Sequence, residues 1–412
     1  MKKILLGGTA LAAAAMAAMP AVAADPQNVT SGLSLKISGF IAAQAALVLD
    51  TSGTDGTRDR DYDFGATARL QFDFKNVTDS GLEYGGRIRM TRVNRKDNVV
   101  VDREFVYVSG AFGRIDFGDA PSIAGDMGYI FAHDAAVSAM GFGGSFADNI
   151  DGRYDYGGGD FFSLDPTYHS GLGNDTRIKY TSPSFGGLKI GVDFTPVVGG
   201  SRHSGPGGVN DLRNDGGTPA TIDPVTGEVN LNNDDDVWFE NVIGGGLYYD
   251  STFGDTSVAA GATATYGNGV ANHWDLETYS LGAQVGSGGI SGSVNWVFTP
   301  SGFGSGQTDR DFNTITGSLA YTLGAMEFGL GYAYTWADKN NNLAGSISDN
   351  GFDLKDNHIV SGTVAYQLAP GLNTWVELTW ERQNFRKEVG FAGTHSNSAD
   401  NTVLMTGLFL SF

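Results

Sequence analysis

The 412-residue chain contains no cysteine, so neither a disulfide framework nor a thiolate metal site is available to it. Proline is sparse, 11 residues against 61 glycines. Beyond residue 24 no apolar run is long enough to cross a bilayer as a helix, which leaves strands as the only way of spanning one. Basic residues are also scarce. With 26 Lys and Arg against 46 Asp and Glu the net charge is −20, and a phosphate polymer would be repelled. Catalytic signatures are missing too: no G-x-S-x-G, G-x-G-x-x-G or H-E-x-x-H occurs, and no Ser, His and acid grouping can be argued, so no enzymatic activity is expected.

What is present begins with MKKILLGGTALAAAAMAAMPAVAADP, two lysines followed by an Ala- and Leu-rich run and the small residues Ala21, Val22 and Ala23. This is the pattern of a Sec signal peptide over residues 1–23, with the mature chain running from 24 to 412. An exported chain with no helical span is either a soluble periplasmic protein or an outer-membrane barrel. Abundant glycine and an aromatic content of 11% suit a continuous sheet better than helices.

Period-two alternation recurs along the chain. In YDFGATARLQFDFK, Tyr62, Phe64, Ala66, Ala68, Leu70, Phe72 and Phe74 alternate with a polar set containing Arg69, Gln71, Asp73 and Lys75. Sixteen such strands are expected, at 33–49, 61–76, 82–93, 101–109, 113–118, 176–182, 188–196, 237–250, 256–266, 274–286, 290–298, 311–322, 326–336, 358–368, 372–382 and 401–412. Short turns such as 251–255, 286–289 and 369–371 alternate with long polar loops at 119–175, 197–236, 337–357 and 383–400. Outer-membrane barrels show this asymmetry and soluble sandwiches do not.

Aromatic residues give an independent indication. Trp296, Phe298, Tyr334, Trp336 and Trp380 fall near the long-loop ends of the apolar face, and Tyr249, Tyr321 and Tyr366 near the short-turn ends, as two membrane interfaces require. An Arg or Lys at mid-bilayer on the lipid side costs about 2 to 4 kcal/mol, so the polar register holding Arg69, Arg87, Arg89, Arg177 and Lys179 belongs in the lumen. The expected fold is all-β: a 16-stranded antiparallel transmembrane β-barrel, wide enough for an aqueous channel.

REFVYVSGAFGRIDFGD, Arg103 to Asp119, and IKYTSPSFGGLKIGVDF, Ile178 to Phe194, resemble the general Gram-negative porins, particularly the alphaproteobacterial type. YDSTFGDTSVAAG, YQLAPGL and the final Phe412 are weaker parts of the same likeness. The resemblance implies a homotrimer in the outer membrane, contacting lipid and lipopolysaccharide, each barrel having its third external loop folded inward as a constriction. Here that loop is 119–175, the longest connection in the chain. Loop acids facing wall arginines would create a transverse field that screens solutes by charge and dipole. The loop acids are Asp126, Asp134, Asp148, Asp151 and Asp155; the basic wall is Arg69, Arg87, Arg89, Arg103, Arg177 and Lys179. Arg103 is placed in the lumen by its family position, because residues 105–108 are apolar on both faces. Where some enterobacterial members have a wall arginine this chain has Tyr180.

No cofactor is expected. Related porins bind external Ca²⁺, which would place one at Asp148, Asp151 and Asp155 or at Asp234, Asp235 and Asp236; a hydrated acidic loop is the competing reading. Three functions follow in order: passive diffusion of small hydrophilic solutes and ions, a substrate-specific channel, and a surface adhesin built on a barrel. A specific channel would use inward aromatics, for which the candidates are Phe40, Trp375, Phe105 and Tyr107.

Overall fold

The computed structural model describes residues 32–52, 62–92, 100–128, 130, 175–199, 221–222, 229–230, 237–270, 274–301, 311–336, 354–391 and 394–412. The first strands are β1 (Ser34–Ser52), β2 (Tyr62–Val77), β3 (Glu83–Arg92), β4 (Val100–Gly110), β5 (Gly113–Gly118), β6 (Arg177–Thr181) and β7 (Leu188–Gly199). The rest of the wall is β10 (Val237–Phe253), β11 (Thr256–Gly269), β12 (Leu276–Ser287), β13 (Ile290–Ser301), β14 (Phe312–Leu323), β15 (Met326–Trp336), β16 (Leu354–Ala369), β17 (Leu372–Phe391) and β18 (Thr394–Ser411). Among the described residues outside the wall lie the two-residue strands β8 (Thr221–Ile222) and β9 (Val229–Asn230), paired with each other, and a helical turn, α1 (Ile123–Met127).

These sixteen wall strands form one closed antiparallel barrel in chain order, with β7 pairing directly to β10 and β1 closing onto β18. At the seam Gly39 and Phe412 exchange two backbone hydrogen bonds, at 3.0 and 3.1 Å. Closure leaves no sheet edge, so every ladder group has a partner in a medium that supplies none.

The two faces are inverted relative to a soluble protein. Leu319 is 56% exposed while Ser318 beside it is 5% exposed, and the same alternation runs through Leu330, Val364 and Leu378 on the outside and Thr335, Thr363 and Glu377 on the inside. Bulk solvent for the outer set is hydrocarbon.

Of the short connections, the one after β6 shows how local chemistry sets register. Phe185 and Leu188 exchange backbone bonds of 2.8 and 3.2 Å around Gly186 and Gly187, whose φ angles are 61° and 96°. Positive φ at both central positions matches the right-handed twist of the flanking strands, and glycine adopts it without a Cβ clash.

The expected loop at 383–400 is corrected. β17 continues to Phe391 and β18 begins at Thr394, so most of that segment is a hairpin extension, with a register shift between Asn384 and Val389. Both faces of a ladder standing above the bilayer meet water, so the segment carries no alternation to reveal it.

Candidate functional site

The inward register of β2 to β5 assembles a basic wall. Arg69 stands with its guanidinium carbon 5.2 Å from the ring centre of Phe40, and its Nε donates to Thr91 Oγ1 at 3.2 Å. Arg87 Nε donates to Asp73 Oδ1 at 2.7 Å, and Gln71 donates to the other oxygen of the same carboxylate at 2.7 Å. Arg89 and Arg103 are direct cross-strand partners and share the inward face.

Arg114, which the expectations omitted, belongs to the same wall. Its guanidinium lies 3.8 Å over the Tyr107 ring and bonds Asp116 at 2.9 and 2.6 Å. The alternation of GRIDFG carried that signal. Phe105 and Tyr107 pair across the ladder with Arg87 and Gly85 and therefore face inward with them. Tyr180 faces out, its hydroxyl donating to the Phe112 carbonyl at 2.7 Å.

Arg177 and Lys179 project inward from β6 but are not open to the lumen. The Arg177 side chain is fully buried, 3.6 Å from Asp175, and its guanidinium nitrogens have no hydrogen-bond partner among the described residues. Lys179 Nζ lies 2.6 Å from Asp126 Oδ2 and 3.7 Å from Asp116 Oδ2. That contact is where the loop start meets the wall.

From Asp119 the chain leaves β5 and lies along the inner face of the barrel. Ser122 caps α1 by accepting from Gly125 N at 3.1 Å, and Asp193 of β7 accepts from the Ile123 backbone N–H. Side-chain methyls of Ile123 and Met127 occupy the space that a Cβ would take at Gly191, an Ile123 methyl occupies that of Gly246, and the Met127 carbonyl that of Gly261. Farther round, Asn295 of β13 clasps Ile130 by both backbone groups, donating to its carbonyl and accepting from its N–H at 3.4 Å. Within a dozen residues the segment has thus crossed from β5 to β13. A track of glycines makes room for it, because any side chain there would overlap the loop.

Opposite the arginines the wall is neutral. Thr263 and Ser280 share a hydrogen bond of 2.6 Å, Ser293 and Ser318 one of 2.6 Å, and Thr314 and Thr335 one of 2.9 Å. On β17 the inward register changes again, to Glu377 and Glu381, bonded to Thr363, Thr379 and Asn357. These two glutamates were also missed at the level of sequence, although their period-two spacing from Trp375 was visible.

Asp134, Asp148, Asp151 and Asp155 of the loop, and Asp234, Asp235 and Asp236, lie outside the described residues, as does the segment 1–23. Among the described residues no group of three or more His, Asp or Glu is arranged to hold a metal ion.

A Gram-negative porin family profile matches residues 10–385. The chain belongs to that family. Solved structures agree in fold. This porin is similar to OmpT, an outer membrane protein of Vibrio cholerae in trimer form, with a TM-score of 0.56 at 13% identity over 92% of this chain and 100% of that one. The anion-selective porin of Comamonas acidovorans gives 0.55 at 17% identity, over 92% and 100% of the two chains. The outer membrane channel DcaP of Acinetobacter baumannii gives 0.53 at 13%, over 93% and 99%. No curated protein sequence matches it significantly. The porin is a channel protein of the outer-membrane type, and nothing in that family role calls for a chemical step.

Proposed function

We propose that this porin forms a water-filled channel through which small hydrophilic solutes and ions diffuse passively across the outer membrane, that residues 119–175 narrow the lumen, and that three copies assemble as a homotrimer after export on the segment 1–23. No cofactor takes part. One observation carries the proposal: the first residues of the loop are seated on the inner wall by Asp193, Asn295 and Lys179, across from five inward arginines. Charge on one side of a low-dielectric passage and a backbone segment on the other give a passage that discriminates by size and charge.

The outer surface supports assembly of copies through β1 to β7. Glu104 stands in register with the outward Ile88, and a carboxylate on that face is stabilised by a protein partner rather than by lipid. No Trp lies on β1 to β7, whereas Trp296, Trp336 and Trp380 ring β13 to β17. Lipid-facing belts are built from Trp and Tyr, so the Trp-free sector is the one that copies would cover.

Purified protein reconstituted in planar bilayers is expected to raise the conductance in steps, grouped in threes, with ohmic current in each. A membrane that incorporates the protein but shows no steps at any voltage would overturn the proposal.

A further inference from the structure

The inner face of the barrel is wet on one side and dry on another. On β2 to β5 Arg87 and Arg114 keep 31% and 37% of their side chains in water, Arg69 and Arg103 are half-buried, and of the five inward arginines only Arg89 is closed off. From β14 round to β1 the lumen-facing residues away from the short-turn ends are buried. Val48, Trp375, Val403 and Met405 pack there as one apolar cluster, with Trp375 only 3% exposed, and Thr316, Thr335, Ser361 and Thr379 are as dry. Even Glu377 has no exposed surface, its carboxylate accepting from Thr363 and Thr379. Side chains stand up from a sheet face, so a wall turned to open water leaves their ends wet, and ends this dry have something laid over them.

We infer that residues 131–174 dock on the inner face of β14 to β18 and β1, with their phenylalanines against the cluster around Trp375 and Met405. The inference rests on the porin reading given above and adds to it the surface that receives the loop. Direction of travel is the first argument. From Asp119 the chain passes the inner faces of β7, β10 and β11 at Gly191, Gly246 and Gly261 and reaches β13 at Ile130, so β14 is the next strand on its path. Length is the second. Six strand spacings separate β13 from β1, about 30 Å of wall that about nine extended residues cover, and the chain has all of 131–174 before it returns at Asp175 beside β6. Composition is the third. Phe131, Phe142, Phe146, Phe161 and Phe162 fall in this stretch, whereas 53–61, 200–220 and 337–353 hold one aromatic residue between them, Phe352. Rings and a methionine shed most of their wet surface against one another, while a polar loop laid on the same patch would give up the water of its Asp and Asn side chains for nothing. The aqueous passage then runs down the side of β2 to β5.

Because the chain has no cysteine, single cysteines report which wall is wet. The full-length protein in lipid vesicles is treated with a charged methanethiosulfonate, and the labelled fraction is followed by mass spectrometry. Gln71→Cys on the wet wall is expected to label fast, and Thr363→Cys and Val403→Cys about tenfold or more slowly, since they react only when their cover opens. Replacing Phe142, Phe146, Phe161 and Phe162 together by serine should bring the two slow sites up to the fast one, whereas shortening 337–353 to a glycine linker should leave them slow. A second measurement approaches from the receiving side: Trp375→Ala should speed cleavage by proteinase K within 131–174 by about tenfold. Equal labelling of the three cysteines in the full-length chain, slow sites that stay slow without the four phenylalanines, slow sites freed by shortening 337–353, or cleavage unchanged by Trp375→Ala would overturn the inference. Labelling is read without current, so the expected pattern in a protein that gives no conductance steps would refute the porin reading alone, and steps with equal labelling would refute the docking alone.

Discussion

The walls of β2 to β5 and of β11 to β15 face the same lumen with opposite chemistry. The first presents Arg69, Arg87, Arg89, Arg103 and Arg114, each held by a carboxylate, hydroxyl or aromatic neighbour where its contacts are described. The second presents threonine and serine bonded to one another across the strands, with glycines between them. A charged wall projects a field but offers no flat seat for a backbone segment, since long side chains occupy the surface. A wall of small residues has no field and can be covered. The loop start accordingly lies along the glycine side and faces the charged side from it.

The comparison breaks most completely if the field is removed. Replacing Arg69, Arg87 and Arg89 by glutamine together is expected to shift permeability toward K⁺ by about threefold or more, read as reversal potential in a KCl gradient. An unshifted potential would take these residues out of the narrow part of the channel. Next in size is filling the seat. Gly261→Val puts a side chain where the Met127 carbonyl lies and should destabilise the seated loop by about 1 to 3 kcal/mol, visible as altered single-channel conductance and faster proteolysis within 119–175.

Asn295→Ala removes the clasp on Ile130 without filling any space. Leaving those backbone groups unpaired costs about 1 to 3 kcal/mol, which water entering the gap reduces, so noisier open-channel current is expected with a smaller loss of thermal stability than Gly261→Val produces. A silent trace indistinguishable from the parent would show that the seat holds by packing alone. The smallest effect belongs to the neutral wall itself. Thr314→Val deletes the 2.9 Å bond to Thr335 and should cost about 0.5 to 1.5 kcal/mol in thermal unfolding, with ion selectivity unchanged.

Much of this architecture was legible in the chain. Every expected strand from 33–49 to 401–412 corresponds to a wall strand, because lipid on one side and water on the other impose a strict period of two. Where that asymmetry lapses, legibility lapses with it. Residues 383–400 stand beyond the apolar band and read as loop in the sequence, and α1 is a single turn whose apolar residues are spaced for a wall that the sequence does not display. The arginines of β2 and β3 are legible in the alternation, and Arg114, Glu377 and Glu381 fall on the same polar register of their own strands. The buried state of Arg177 and Lys179 could not, since it depends on Asp126 and Asp175 arriving from the loop.

Alternation, turn glycines and the aromatic ends of the strands determined by themselves that the chain is a barrel turned outward to lipid, and which residues share each face. That information is local, because it needs only neighbours along one strand. Which wall faces which was decided by closure. Gly191, Gly246, Gly261 and Gly282 lie on four strands and form one track only when those strands are in register around a closed circumference. Phe40 and Phe409 are far apart in the chain and stack only because β1 closes on β18. Lateral neighbours come from hydrogen-bond register between strands, and register around a ring is a property of the whole sheet.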